Sequence, residues 1–132
     1  MVFERTMVYT LELLRATNVV KDDPNSGCVY VIHLSGNFVL EVAEEFNLLY
    51  KTLVAGGMRK VALDLSELRY IDSTGIGIII TAAKLVRTNG GDLVLLRVGG
   101  KILDIVNLVK LGEFIPSFAD SKQVSQHFFQ NV

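Results

Sequence analysis

The sequence predicts an α/β domain: a mostly parallel sheet of four to six strands, led by an N-terminal antiparallel hairpin and packed by about four helices. Three observations carry this. Segments with a 3.6-residue apolar period alternate with short apolar runs along most of the chain, the pattern of helix and strand in turn. Two of the runs, Val61-Ala62-Leu63-Asp64-Leu65 and Leu93-Val94-Leu95-Leu96, are apolar almost throughout, as in strands covered on both faces. Ahead of them, two β-rich stretches flank Asp22-Asp23-Pro24-Asn25-Ser26-Gly27, a dense turn signal.

In chain order, Met7-Val8-Tyr9-Thr10-Leu11-Glu12-Leu13-Leu14 alternates loosely and reads as a strand, with an extended piece continuing toward Val20. Residues 28–34 form its hairpin partner, which Ser35-Gly36-Asn37 is expected to end. Val42, Phe46, Leu49 and Leu53 then lie on one face of a helix, with Glu44 and Glu45 early, where acids suit the dipole, and Gly56-Gly57 as the stop. The strand at 61–65 leads through a connector, residues 66–71, to a helix over 74–88 that is apolar nearly all round and ends at Asn89-Gly90-Gly91. After the strand at 93–96, Gly99-Gly100 opens a helix over 101–109 with Ile102, Ile105, Val106 and Val109 inward. Phe114-Ile115-Pro116 reads as a short edge strand, where proline is tolerated. Asp120 with Gln123 resembles a capping box for a last helix reaching Phe129. No repeat, linker or low-complexity tract divides the 132 residues, so 1–132 is read as one domain.

Composition narrows the function. Half the residues are hydrophobic, a fifth are charged, and the net charge is −1 without a Lys/Arg block, which argues against nucleic acid as a partner. A single cysteine, Cys28, allows no disulfide within the chain and fits a reducing compartment; it reads as a small strand residue. The N-terminus carries an acid and no apolar h-region, and the longest apolar stretch, 76–83, falls far short of a membrane span. The expectation is a cytoplasmic protein without membrane insertion.

The chemistry-bearing motifs thin out quickly. Gly75-Ile76-Gly77 lacks the third glycine of a dinucleotide loop, and Gly99-Gly100-Lys101 lacks the hydroxyl and upstream glycine of a P-loop. Ser73 is no nucleophile elbow, since Ile71 occupies the first glycine position. His33 and His127 show no ligand spacing, so no metal is expected, and with no base to pair with a nucleophile the chain is read as a non-enzyme needing no cofactor. Asp64 ends a strand as a receiver-domain phosphoacceptor does, but the acidic pair and lysine such a site needs are missing, and it reads as ordering the 66–71 connector.

What remains is Ile71-Asp72-Ser73-Thr74-Gly75-Ile76-Gly77, a small polar cluster where a helix begins. A helix N-terminus presents N–H groups and the positive end of a dipole, which suits a phosphate. Read from residues alone, Ser73 caps the helix, and Gly75 and Gly77 let it approach the sheet. Phe38, Val39 and Leu40 form an apolar run that reads equally as core packing or as a docking patch near this turn.

The stretch from Val61 to Gly77, a strand holding Asp64 followed by Asp72-Ser73-Thr74-Gly75-Ile76-Gly77 at a helix start, resembles the signature of the STAS family, the anti-sigma-factor antagonists and related domains. The resemblance implies a partner-switching module. It would bind an anti-sigma factor that is also a serine kinase using ATP and magnesium, with Ser73 as phosphoacceptor and a PP2C-type phosphatase reversing the modification. The contact surface implied is Asp72, Ser73, Thr74, Gly75 and Ile76 with Phe38 and Val39, and a homodimer is compatible with it. In many switching members an acid stands where this chain has Val39, with Glu41 two residues late. The alternative is a constitutive, non-phosphorylated STAS scaffold or transporter-associated subunit.

Overall fold

The computed structural model describes residues 7–15 and 27–129. Five strands and four α-helices follow one another as β1 (Met7–Arg15), β2 (Cys28–Phe38), α1 (Ala43–Ala55), β3 (Lys60–Ile71), α2 (Ser73–Thr88), β4 (Asp92–Leu96), α3 (Gly100–Leu108), β5 (Ser117–Phe118) and α4 (Ser121–Phe129). The sheet order is β1-β2-β3-β4-β5, the same as the chain order. β1 and β2 pair antiparallel, from Met7 against Gly36 to Arg15 against Cys28, and every later pair is parallel. The expected fold class is the one observed. The extended piece toward Val20 and the turn at residues 22–26 lie outside the described residues.

Topology decides where the core sits. Each parallel strand is added on the same side of the one before, and right-handed crossovers then place α1, α2 and α3 on one face of the sheet. The main core lies between them: Phe46, Tyr50 and Val54 of α1, Ile79, Ala82, Ala83 and Val86 of α2, and Ile102 and Val106 of α3, against Ile32, Leu34, Leu63, Leu65, Leu93 and Leu95. α4 covers part of the other face, where Val124 meets Val29, Val31, Ala62, Val94 and Leu96. Cys28 is buried within its strand. Among the described residues no helix is long and apolar enough to cross a membrane.

Several boundaries differ from expectation for identifiable reasons. β2 does not stop at Ser35-Gly36-Asn37 but runs to Phe38, and β3 absorbs the expected 66–71 connector. The two strands stay paired, with His33 opposite Asp64, Ser35 opposite Glu67, Gly36 opposite Leu68 and Asn37 opposite Tyr70. Each register shift adds one residue on β3, a bulge, so the inward positions there are Leu65, Leu68 and Ile71 rather than every second residue. In α1 the deepest residues are Phe46, Tyr50 and Val54, with Leu49 and Leu53 at the margin of the stripe. Val109, expected inward, is exposed and lies beyond α3. The edge strand forms at Ser117–Phe118 rather than 114–116, because Phe114 and Ile115 close a 3-10 turn over Leu111–Glu113. Pro116 contributes a carbonyl to the ladder, accepting from Leu95 N–H at 2.9 Å.

Helix ends follow the glycines. After α1, Met58 N–H donates to the Leu53 carbonyl and Gly57 N–H to that of Val54, with Gly57 at φ 112; after α2, Gly91 donates to Val86 and Gly90 to Arg87, with Gly90 at φ 87. Both are Schellman closures, in which the left-handed residue is one that glycine adopts without strain. The expected capping box at α4 forms in half: Gln123 N–H donates to Asp120 Oδ1 at 2.9 Å, while Gln123 Oε1 accepts from the N–H of Ala119, one residue ahead of the cap, at 2.8 Å.

Phe46 is fully buried and meets the rings of Phe38 at 5.0 Å, Tyr50 at 5.8 Å and Tyr9 at 6.4 Å. Truncating it removes the ring that joins β1, β2 and α1. Phe46→Ala is expected to lower stability by about 3–5 kcal/mol. Urea denaturation followed by far-UV circular dichroism measures this, and a shift below ~1 kcal/mol would mean that the site collapses around the missing ring.

Candidate functional site

Ile71, the last residue of β3, is buried and delivers the chain directly into α2. Asp72, not Ser73, is the helix cap. Its backbone is extended, and its Oδ1 accepts from Gly75 N–H at 2.9 Å. The opening helical bond runs from Ile76 N–H to the Asp72 carbonyl at 3.1 Å. Ser73 is therefore the first helical residue. Its side chain is exposed, and its hydroxyl is not committed to the capping bond.

The same aspartate reaches across to the chain leaving β2. Its Oδ2 accepts from Leu40 N–H at 3.2 Å, and Asp72 N–H donates to the Phe38 carbonyl at 3.2 Å. The two segments singled out from the sequence, 38–39 and 72–76, are thus neighbours, joined through one residue. Gly75 is buried between them: a Cβ at this position would lie 2.5 Å from the Phe38 carbonyl oxygen and 2.8 Å from Ile71 Cγ1. The expected close approach holds for Gly75 but not for Gly77, which is exposed and whose Cβ would meet nothing within 4 Å.

Of the expected contact residues, Ser73 is exposed, and Asp72, Thr74, Ile76 and Val39 are half-buried. Phe38 cannot present its side chain to a partner, because it is fully buried against Phe46. The outward apolar residues here are Leu40, 65% exposed, and Tyr70, 52% exposed, on either side of the Asp72 tie in sequence. Tyr70 was hidden in the sequence because it falls in the bulged part of β3, where alternation fails. The rim of the turn therefore holds the exposed Leu40, the Asp72 cap to which its N–H donates, and one exposed hydroxyl. The α2 dipole is positive at that hydroxyl, and no acid lies within the first helical turn.

The STAS domain family matches residues 19–124. The chain belongs to the STAS domain family. Among solved structures this STAS chain is similar to an anti-sigma factor antagonist from Mycobacterium paratuberculosis, at 16% identity and a TM-score of 0.70, over 92% of this chain and 94% of that one. It is similar also to the Bacillus cell fate determinant SpoIIAA in its phosphorylated form, at 16% identity and a TM-score of 0.60, over 89% and 99% of the two chains. A third likeness is to the murine anion transporter Slc26a9, at 12% identity and a TM-score of 0.66, where 97% of this chain corresponds to 23% of the transporter. At these identities the likeness is one of fold, and the STAS fold is seen in both settings.

A second polar cluster lies on the sheet face opposite α1 and α2, and sequence reasoning treated its members separately. Asp64 is 4% exposed, and its Oδ1 accepts from Ser66 N–H at 2.9 Å. It orders the chain after it, as expected, although that chain is strand rather than connector. Its Oδ2 lies 2.6 Å from His33 Nδ1, and His33 Nε2 lies 2.8 Å from Glu12 Oε1. The signal was present as three polar residues in otherwise apolar strands, but their pairing depends on register.

Two substitutions test the geometry of the Asp72 turn. Asp72→Ala removes the cap and the tie to Leu40 and is expected to cost about 1–2 kcal/mol, while Asp72→Asn retains most of that stability. Gly75→Ala forces its methyl into the Phe38 carbonyl and is expected to cost about 1–3 kcal/mol. Denaturant midpoints measured on the three variants together check both, and an unchanged midpoint for Gly75→Ala would show that α2 can move off the sheet freely.

Proposed function

We propose that this STAS domain is an anti-sigma-factor antagonist of the partner-switching type, a regulatory binding protein whose Ser73 is phosphorylated by the kinase it binds. The observation that carries the reading is the exposed Ser73 hydroxyl at the first position of α2, free of the capping role that Asp72 performs. The kinase would supply ATP and magnesium, and a PP2C-type phosphatase would restore the hydroxyl. The family membership supports a protein partner, and the likeness to antagonists supports which kind.

The physics of the switch is local. The γ-phosphoryl group of the kinase's ATP forms an ester with Ser73 Oγ as its bond to the β-phosphate breaks and ADP leaves, the hydroxyl proton is lost, and about 1.5 to 2 negative charges are added. Within the domain the new charge sits at the positive end of α2 and demands no rearrangement of the core. Against a docked partner it stands beside the Asp72 carboxylate and the exposed Leu40, where repulsion and desolvation both oppose contact. A penalty of only ~1.4 kcal/mol is tenfold in affinity, so one phosphate suffices to exchange partners without refolding.

Val39 favours a second reading, a constitutive scaffold. It is half-buried and apolar where an acid is expected, which leaves the rim less charged and more uniformly adhesive. One experiment separates the readings. With the cognate kinase and ATP-magnesium, mass spectrometry is expected to place a single phosphate on Ser73 and none on Ser73→Ala. Ser73→Glu is expected to weaken the kinase complex by about tenfold or more. Phosphate on another residue, or equal binding by Ser73→Ala and Ser73→Glu, would remove the switch. For a scaffold, Val39→Asp would confer no phosphorylation and leave partner affinity unchanged.

A further inference from the structure

On the face of the sheet away from α1, α2 and α3, an imidazole is held between two carboxylates. His33 and Asp64 are direct register neighbours on β2 and β3, and their side chains meet at 2.6 Å. Glu12 on β1 stands opposite Val31, two residues from His33 along β2, and reaches His33 Nε2 at 2.8 Å. Ionised carboxylates only accept hydrogen bonds, so both contacts are made well only when both ring nitrogens carry a proton. A neutral imidazole would turn a lone pair toward one carboxylate. The geometry therefore selects the imidazolium.

We propose that Glu12, His33 and Asp64 form a proton-dependent latch that fastens the edge strand β1 to the sheet and releases it as the solution becomes alkaline. The proposal is independent of the role assigned to Ser73. Which carboxylate lets go follows from burial. The Asp64 side chain is 6% exposed and must keep its partner, while that of Glu12 is 52% exposed and can be rehydrated. Loss of one proton from His33 therefore opens the β1 contact and spares the β2–β3 contact.

The surroundings have the charges this requires. Facing the imidazole are Glu12 from β1, Asp64 from β3, and Glu67 of β3, which lines the same open groove of about 180 Å³ with Val8, Thr10 and Ser66. Arg69 lines the adjoining groove beside Glu67. Beyond β4, Arg97 approaches Asp64 Oδ2 at 3.5 Å and donates to Ser121 Oγ of α4 at 3.1 Å, so α4 joins through that residue. The other histidine, His127, lies against Asp92 and Phe118 and takes no part in these contacts. Burial alone would lower the pKa of His33, but the hydrogen bonds and charges of Glu12 and Asp64 outweigh it and raise it above the ordinary 6.5. Burial likewise opposes ionisation of Asp64, yet the Ser66 and His33 bonds hold it below its ordinary 3.8. A raised histidine stabilises the folded form fully below its unfolded value and loses that contribution as pH rises through its folded value. The lowered aspartate contributes above its unfolded value and loses that only as pH falls through its folded one. The latch is thus closed from above the Asp64 range through pH 6.5 and opens above that, on the alkaline side.

The test is a pH titration of the full chain by NMR, following the His33 ring and the exchange protection of β1 amides relative to α2 amides, each corrected for ordinary base catalysis. His33 is expected to titrate above 6.5, and β1 protection is expected to fall across the same midpoint while α2 holds. Each unit of upward shift corresponds to about a tenfold loss of β1 protection. Glu12→Gln changes an exposed side chain, keeps the fold, lowers the His33 midpoint and uncouples β1 from pH. A His33 midpoint at or below 6.5, parallel changes in β1 and α2, or a Glu12→Gln midpoint identical to the parent would each overturn the latch.

Discussion

Asp72 accepts from two N–H groups that the chain brings from different directions, Gly75 at the start of α2 and Leu40 ahead of α1. The carboxylate needs three things in place at once. β3 must deliver Ile71 into the core, β2 must end beside it so that the Phe38 carbonyl can accept from Asp72, and position 75 must have no side chain. The rest of the helix-covered face follows, since α1 and α2 leave from the two ends this residue ties together.

The two faces of the sheet have different physical characters. Under α1, α2 and α3 the core is continuous and apolar, and among the described residues its polar exception is the Tyr50 hydroxyl, buried without a hydrogen-bond partner there, whose ionisation burial opposes. On the other face the apolar cluster beneath α4 is small and gives way to charge at Glu12, His33, Asp64 and Arg97. The Ser73 turn and the His33 cluster therefore lie at separate places: one at the strand ends where α2 begins, the other at mid-strand on the opposite face.

The order and type of elements were legible because the two periods are distinct: Val42, Phe46, Leu49 and Leu53 mix even and odd spacings and cannot share a face on a strand, and Leu93 to Leu96 are too few and too uniformly apolar for a helix. Residues 66–71 were not legible as strand. Two bulges stretch the inward spacing to three, and Ser66, Glu67, Arg69 and Tyr70 all face solvent, which in sequence looks like a loop. The site was legible at Asp72, Ser73 and Gly75 because small polar residues cluster at a helix start. The division of labour between Asp72 and Ser73 was not, since both are good caps and only backbone geometry decides. Phe38 and Leu40 differ just as little in sequence, yet one is enclosed and the other exposed. The Glu12, His33 and Asp64 cluster depends on register across three strands, and no local pattern encodes register.

The order of strands across the sheet is also their order along the chain. No strand has to wait for a later segment to be inserted between it and its neighbour. As the polypeptide leaves the ribosome, each new strand docks against an edge already formed, and each crossover helix folds onto the face its predecessor has started. Growth is outward from the β1–β2 hairpin. The fifth strand of the described sheet is two residues long, so the edge it presents is too short to recruit another chain.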